Sequence, residues 1–308
     1  QSAVDWRNVQ KFQTDLAALG SRFMGQPGMY AAEEYIRNAF AALGLELHEQ
    51  ENWTVAPKTM FREISLADTP AQPLDDVQVY PFMPNHLQPV ATPDEGAAGE
   101  LVLLSQEALR TRNSFEGCIG LLDVSDGQVP DEYGYDWTRY AQLGLAGLIV
   151  AHPEGLERVP WQLVAADRQG MVSSAPVNFP RLAADAAIFR YVGQRIRLRV
   201  QVRFEEVKNT TLIGVLRAAK TTPDAPNPNA IFLLANYDAC SILPDKAPGV
   251  AQALWPATLL ALAQGLAPYR ASLVRDVVFV AFGGQMMAHD GDNNLLRLLD
   301  ENIARQER

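Results

Sequence analysis

Two short segments hold the side chains best placed to do chemistry. Asn236-Tyr237-Asp238 follows the apolar run 230–235, and Gly283-Gly284-Gln285-Met286 follows the apolar run 277–282. Each begins where a buried strand would end, and layered α/β proteins bind ligands outside the carboxyl ends of their strands. An aspartate can hold a cation or move a proton. Asn236 and Gln285 are neutral amides, and Gln285 cannot take a proton from water near pH 7. Met286 offers a thioether, which zinc does not favour beside nitrogen and oxygen donors. A second carboxylate, Asp245, opens the loop Asp245-Lys246-Ala247-Pro248-Gly249-Val250-Ala251.

The four histidines do not fall at ligand spacing. His48 sits on an early strand, His86 in a Pro-rich loop and His152 after an apolar strand. His289 lies three residues past Met286, with Asp290 and Asp292 close behind. Those three could form an improvised cation site, or the two aspartates could cap the start of the last helix. Ser241 follows Cys240 past a strand end, but no Gly-x-Ser-x-Gly elbow surrounds it. Cys240 has no histidine placed in sequence to activate it. Both read as packing residues. Cys118 and Cys240 are the only cysteines, without a Cys-x-x-Cys. They read as buried thiols or, in an oxidising compartment, as a disulfide. Asn52-Trp53-Thr54 and Asn209-Thr210-Thr211 match the glycosylation sequon.

The elements that must position these groups follow from periodicity. Helices are predicted over 29–43, 136–143, 256–266 and 294–306. Strands are predicted over 45–55, 100–104, 117–124, 147–150, 195–204, 211–216, 230–235 and 277–282. The last two are wholly apolar and alternate with helices, which predicts a sheet covered on both faces. Pro70, Pro73, Pro81, Pro84, Pro89 and Pro93 mark a change of domain.

Hydrophobic residues make up 48% of the 308 residues and charged residues 20%, enough to bury a sizeable core. The net charge of -10 opposes binding to nucleic-acid phosphates or anionic lipid. No apolar run reaches the roughly 18 residues that span a bilayer. Gln1-Ser2-Ala3 reads as the start of a mature chain, which predicts an extracytoplasmic location.

Order and spacing of these pieces resemble the two-zinc aminopeptidase family. There, one strand ends in His-x-Asp, an Asp-Asn-Ala-Ser-Gly loop opens a helix, and the next strand ends in Gly-Glu-Glu. Here the corresponding residues are Asn236-Tyr237-Asp238, the loop from Asp245 to Ala251, and Gly283-Gly284-Gln285-Met286. Ser21-Arg22, Gly28 and the following helix resemble the family's N-terminal helix. Gly117 to Val124 and Tyr140 to Val150 resemble pieces of a protease-associated domain. The resemblance implies an α/β fold with a largely parallel sheet flanked by helices and an inserted, mostly-β protease-associated domain. The expected organisation is 1–66 and 206–308 for the peptidase-like part, with 67–205 as the insertion. It also implies that the fold continues past Arg308, where the family's further Asp and C-terminal His would lie.

The same resemblance implies that the chemistry is lost. Asn236 replaces the first histidine ligand, and Gln285 and Met286 replace the base and ligand glutamates. Asp238 corresponds to a residue that orients the histidine, so a turn or cap hydrogen bond becomes its expected role. The bridging-carboxylate position falls on Asp245 in one alignment and on Ala251 in another. The expectation is a catalytically inactive ectodomain, comparable to nicastrin and the transferrin receptor, that binds a protein or peptide and needs no cofactor. The alternative is a zinc aminopeptidase with atypical ligands Asp238, Asp245 and His289, completed by residues outside the chain.

Overall fold

The computed structural model describes residues 5–67, 71–84, 89–125, 140, 142–158, 180–219, 230–287 and 290–306. In chain order the elements are α1 (Trp6–Ala17), α2 (Pro27–Ala42), β1 (Glu46–Leu66), β2 (Gln72–Pro73), β3 (Val79–Pro81), β4 (Ala97–Leu103), α3 (Gln106–Thr111) and β5 (Ile119–Asp123). They continue with β6 (Gly147–Ala151), β7 (Arg181–Ala184), β8 (Arg195–Leu216), β9 (Ile231–Asn236), α4 (Leu254–Leu266), β10 (Val277–Phe282) and α5 (Asp290–Gln306). The chain divides into two compact units. The first comprises residues 1–56, 206–240 and 245–308, and the second 57–205 and 241–244.

In the first unit β10 is central. It runs parallel to β9, with Phe279 opposite Leu233, and antiparallel to the end of β8, with Phe279 opposite Gly214. Every residue of β10 is buried. The Phe40 ring of α2 meets Phe279 at a centroid distance of 6.4 Å. On the other face Val278, Val280 and Phe282 pack with Leu295 of α5. α4 packs on β9, β10 and α1. A wholly apolar strand is therefore stable here because both of its faces are covered.

The equally apolar β9 departs from that expectation. Ile231, Phe232 and Leu234 are 45%, 44% and 50% exposed. Among the described residues β9 pairs only with β10, so it is an edge strand. Composition alone cannot separate an edge from a centre.

Two expected strand breaks are also absent. β8 runs unbroken through 205–210, where polar residues suggested a link between 195–204 and 211–216. That stretch holds no Pro or Gly, and side-chain polarity alone does not interrupt a backbone ladder. β1 likewise runs past 55 and includes Pro57. Among the described residues β1 pairs with β8 and, at Ser65 and Leu66, with the short β2.

Both sequons lie on these strands, and the Asn and Thr side chains of each are buried. The Asn52 amide donates to the Thr211 hydroxyl at 2.9 Å, and the Asn209 amide donates to the Thr54 hydroxyl at 3.2 Å. Each asparagine thus pairs with the threonine of the other sequon across the β1–β8 ladder. The helix expected over 29–43 is α2, and those over 256–266 and 294–306 are α4 and α5. The helix expected over 136–143 falls mostly outside the described residues.

In the second unit β4, β5, β6 and β7 form a parallel sheet, flanked by antiparallel β3 on β7 and by the start of β8 on β4. Leu101, Ile119, Ile149 and Leu182 fill one face, and Val102, Leu148 and Val150 the other. Ile196, Leu198 and Val200 of β8 point into the core, which turns Arg197 and Arg199 outward.

The start of α2 lies hard against the preceding backbone. A Cβ on Gly28 would sit 2.4 Å from the Ser21 carbonyl and 2.7 Å from that of Leu19. Gly28→Ala is expected to lower stability by about 1–3 kcal/mol, because the clash is with backbone and not with a movable side chain. Urea unfolding followed by circular dichroism checks this, and an unchanged midpoint would contradict the close approach.

Candidate functional site

The candidate site is built where β9 and β10 end side by side in the first unit. Phe282 and Asn236 are register partners, and the Tyr237 N–H donates to the Phe282 carbonyl at 2.9 Å. The two loops therefore leave the sheet together. Gly284 has φ +84°, a left-handed conformation, and turns the chain back after β10. That turn brings the Met286 N–H to Asp238 Oδ2 at 3.0 Å. Asn236 Nδ2 donates to Asp238 Oδ1 at 3.1 Å. Both carboxylate oxygens of Asp238 are thus engaged with the chain itself.

Asp238 is completely buried. Burial raises its pKa above the ordinary value of 3.8, and the hydrogen bonds from Met286 and Asn236 and the charge of Arg22 oppose that rise. Arg22 is also fully buried. Burial lowers its pKa to about 10, against the charge of Asp238. Its Nη2 donates to the Gly249 carbonyl at 3.0 Å, while Nε and Nη1 have no hydrogen-bond partner among the described residues. The backbone around it is fixed on both sides. The Arg22 N–H donates to the Ala247 carbonyl, and the Ala239 N–H donates to the Arg22 carbonyl.

The other expected site residues are held in separate local bonds. Asp245 lies in a single 3-10 turn, Pro244–Lys246, and its Oδ1 accepts from Gln26 Nε2 at 2.8 Å. Ala251, the other position for a bridging carboxylate, is exposed in the turn before α4. Gln285 and Met286 are half-buried. His289 lies outside the described residues, as does His86. His48 pairs with Glu46 at 2.9 Å on β1, and His152 Nδ1 accepts from the Glu154 N–H. Asp290 and Asp292 fall in the first turn of α5, where acidic residues suit the helix dipole. Ser241 Oγ accepts from the Leu243 N–H, so it closes a turn. Neither cysteine forms a disulfide.

Sequence reasoning did not single out Tyr237 or Glu33 as site-forming. The Tyr237 hydroxyl is buried, donates to Glu33 Oε2 (3.1 Å) or to the Thr210 carbonyl (2.8 Å), and accepts from the Thr210 N–H (3.2 Å). Its pKa is pushed well up by burial and by the Glu33 charge. Glu33 in turn pairs with Arg37 at 2.8 Å. A signal existed. Glu33 falls on the same helical stripe as Met29, Ile36 and Phe40, and a charged residue there needs a buried partner.

No protein-family model and no curated protein matches the sequence. Solved structures do. Two structures of a zinc aminopeptidase from Bacillus subtilis align with TM-scores of 0.54 and 0.52, at 14% and 16% identity. The chain has an aminopeptidase-like fold. The alignment covers 91% of this chain and 61% of each of those, so the chain spans about three fifths of their length.

The Bacillus subtilis structures are of a zinc aminopeptidase; in this chain the described strand ends carry an amide, a carboxylate and a thioether, Asn236, Asp238 and Met286. Among the described residues no three His, Cys, Asp or Glu side chains are grouped to hold a metal. Asn236 turns its Nδ2 donor, not its amide oxygen, toward Asp238. Each oxygen of the Asp238 carboxylate already accepts a hydrogen bond from the chain.

The raised pKa of Asp238 has a sign in stability. Between 3.8 and its raised value, the folded chain keeps a proton that the unfolded chain releases. The contribution of Asp238 to stability is therefore largest on the acid side and falls as pH rises through that window. In urea titrations at stepped pH, the stability of the native chain minus that of Asp238→Asn is expected to fall as pH rises from about 4. Parallel curves would mean that Asp238 keeps its ordinary pKa.

Proposed function

We propose that this chain is an aminopeptidase-like module without peptidase activity, which acts by binding a protein or peptide. The observation that carries the reading is the Asp238 junction, where Asn236 and the Met286 backbone occupy both carboxylate oxygens. A zinc hydrolase needs an open metal position and a base that can accept a proton from water. Gln285 has no such base function. The strand ends meet at that junction as a hydrogen-bonded knot, with a carboxylate performing a structural task.

The second unit is proposed to be a protease-associated-type insertion, on the strength of the sequence pieces that became β5 and β6. An extracytoplasmic location is proposed from the acidic charge. No helix among the described residues is long and apolar enough to cross a membrane.

Zinc content measured by elemental analysis, after purification without chelator, tests the central reading. The expected result is well below one zinc per chain, no heat on titration with micromolar zinc, and no hydrolysis of an aminoacyl reporter. Stoichiometric zinc together with hydrolysis would overturn the proposal and return attention to Asp238, Asp245 and His289.

A further inference from the structure

β9 leaves one edge of the first unit's sheet open. A residue in a parallel pair turns its N–H and C=O to the same side, and successive residues alternate sides. The Ile231 N–H donates to the Asp276 carbonyl and the Tyr237 N–H to the Phe282 carbonyl, both toward β10. Residues 231, 233 and 235 therefore bond β10, and Phe232, Leu234 and Asn236 turn their backbone groups to the open side. Among the described residues no strand lies there.

The side chains along this edge are apolar and poorly covered. Ile231, Phe232 and Leu234 are all close to half exposed. Phe232 and Leu234 stand opposite Val278 and Val280 of β10, on the face where Leu295 packs. Ile231 and Leu233 stand opposite Val277 and Phe279, on the face that meets Phe40. Edge strands that stay single are blunted by a charge, a proline or a bulge. The run Ile231-Phe232-Leu233-Leu234-Ala235-Asn236 has neither charge nor proline. Each of its residues pairs one to one with β10, so no bulge turns the edge away.

The edge is complementary to itself. Set antiparallel to a second copy about a twofold axis at Leu233, Phe232 lies opposite Leu234 of that copy, and Leu234 opposite its Phe232. Both residues carry their free backbone groups on the open side, so each such pair exchanges two hydrogen bonds. Ala230 and Asn236 meet in the same way at the two ends. Between them Ile231 faces Ala235 of the second copy, and Leu233 faces its own counterpart. The pairs inside the two ends are apolar on apolar, and no like charges are opposed along the strand, although the chain carries a net charge of -10. A slip of one residue sets free backbone groups against ones already bonded to β10, and a slip of two shortens the overlap.

We propose that this chain pairs with a second copy of itself along β9, joining the sheets of two first units into one. The contact is isologous and uses the free β9 edge of each copy, so it closes at two chains. It removes Phe232, Leu234 and Ile231 of both copies from water and fills the backbone groups that β10 leaves unpaired. The proposal rests on the edge alone and does not depend on whether the strand ends at Asp238 hold zinc or a peptide.

Sedimentation equilibrium of the chain from about 5 to about 500 μM tests it, with amide hydrogen exchange at the same concentrations. A monomer–dimer equilibrium is expected, with a Kd of about 50 μM for so short a contact. The amides of Phe232 and Leu234 are expected to gain protection as the dimer fills. Leu234→Lys and Phe232→Lys are each expected to weaken the dimer at least about tenfold, with an unchanged thermal midpoint at low concentration. Trp53→Lys, an equally exposed apolar site on β1, is expected to leave it unchanged. Should Phe232→Lys fold poorly, Leu234→Lys and the exchange of the native chain still decide. A monomer throughout overturns the proposal in either form. Protected Phe232 and Leu234 amides would then mean that the chain's own residues take the edge, and freely exchanging ones that it serves a different partner. A dimer that survives both lysine variants overturns it as well.

Discussion

The first unit depends on one buried carboxylate. Asp238 sits where two parallel strands end, and its two oxygens take hydrogen bonds from the loops on either side. A buried carboxylate is unstable unless it is hydrogen-bonded or paired. Here the hydrogen bonds are geometric ties between β9 and the loop after β10, and the countercharge is Arg22 from the segment before α2. Removing either partner leaves a buried charge uncompensated, and such losses are large. The ends of the sheet and the N-terminal segment are therefore specified together.

Under the proposed reading, that arrangement explains how an aminopeptidase-like fold can hold its strand ends together without a metal. In a metal site, the ion gathers ligands from several strand ends and holds them in place. Here an amide, a carboxylate and a backbone N–H close the same strand ends by hydrogen bonding. Tyr237 adds a second tie, joining Glu33 of α2 to the Thr210 backbone of β8. The reciprocal Asn–Thr pairs of β1 and β8 add a third. All three ties sit in buried places where water cannot compete, so each contributes more to uniqueness of the fold than it would at the surface.

The second unit follows a different logic. Its parallel strands are apolar on both faces and need no polar device to hold register. The charged residues of β1 and β8 are left to the outer face, where they are unevenly satisfied. Arg199 and Arg197 are two residues apart on the same strand face, yet Arg199 bonds Glu63 and the Asp94 carbonyl while the Arg197 Nε has no hydrogen-bond partner among the described residues.

The sequence by itself determined the longer apolar strands and helices, because apolar periodicity reports burial directly, but not α1, α3, β2, β3 or β7. The runs that became β10 and α2 and the strand ends carrying Asn236-Tyr237-Asp238 and Gln285-Met286 were all legible. The continuity of β1 and β8 was not, since polar residues such as those at 205–210 mark turns and exposed strands alike. Neither was the exposure of β9, because an edge strand and a central strand can share one composition. Only the tertiary structure decided that Asp238 ties two loops, that Arg22 faces it, and that the Asn and Thr side chains of both sequons are buried. Each of these joins residues far apart in the chain, and such pairings depend on which strands lie side by side, which no local pattern encodes.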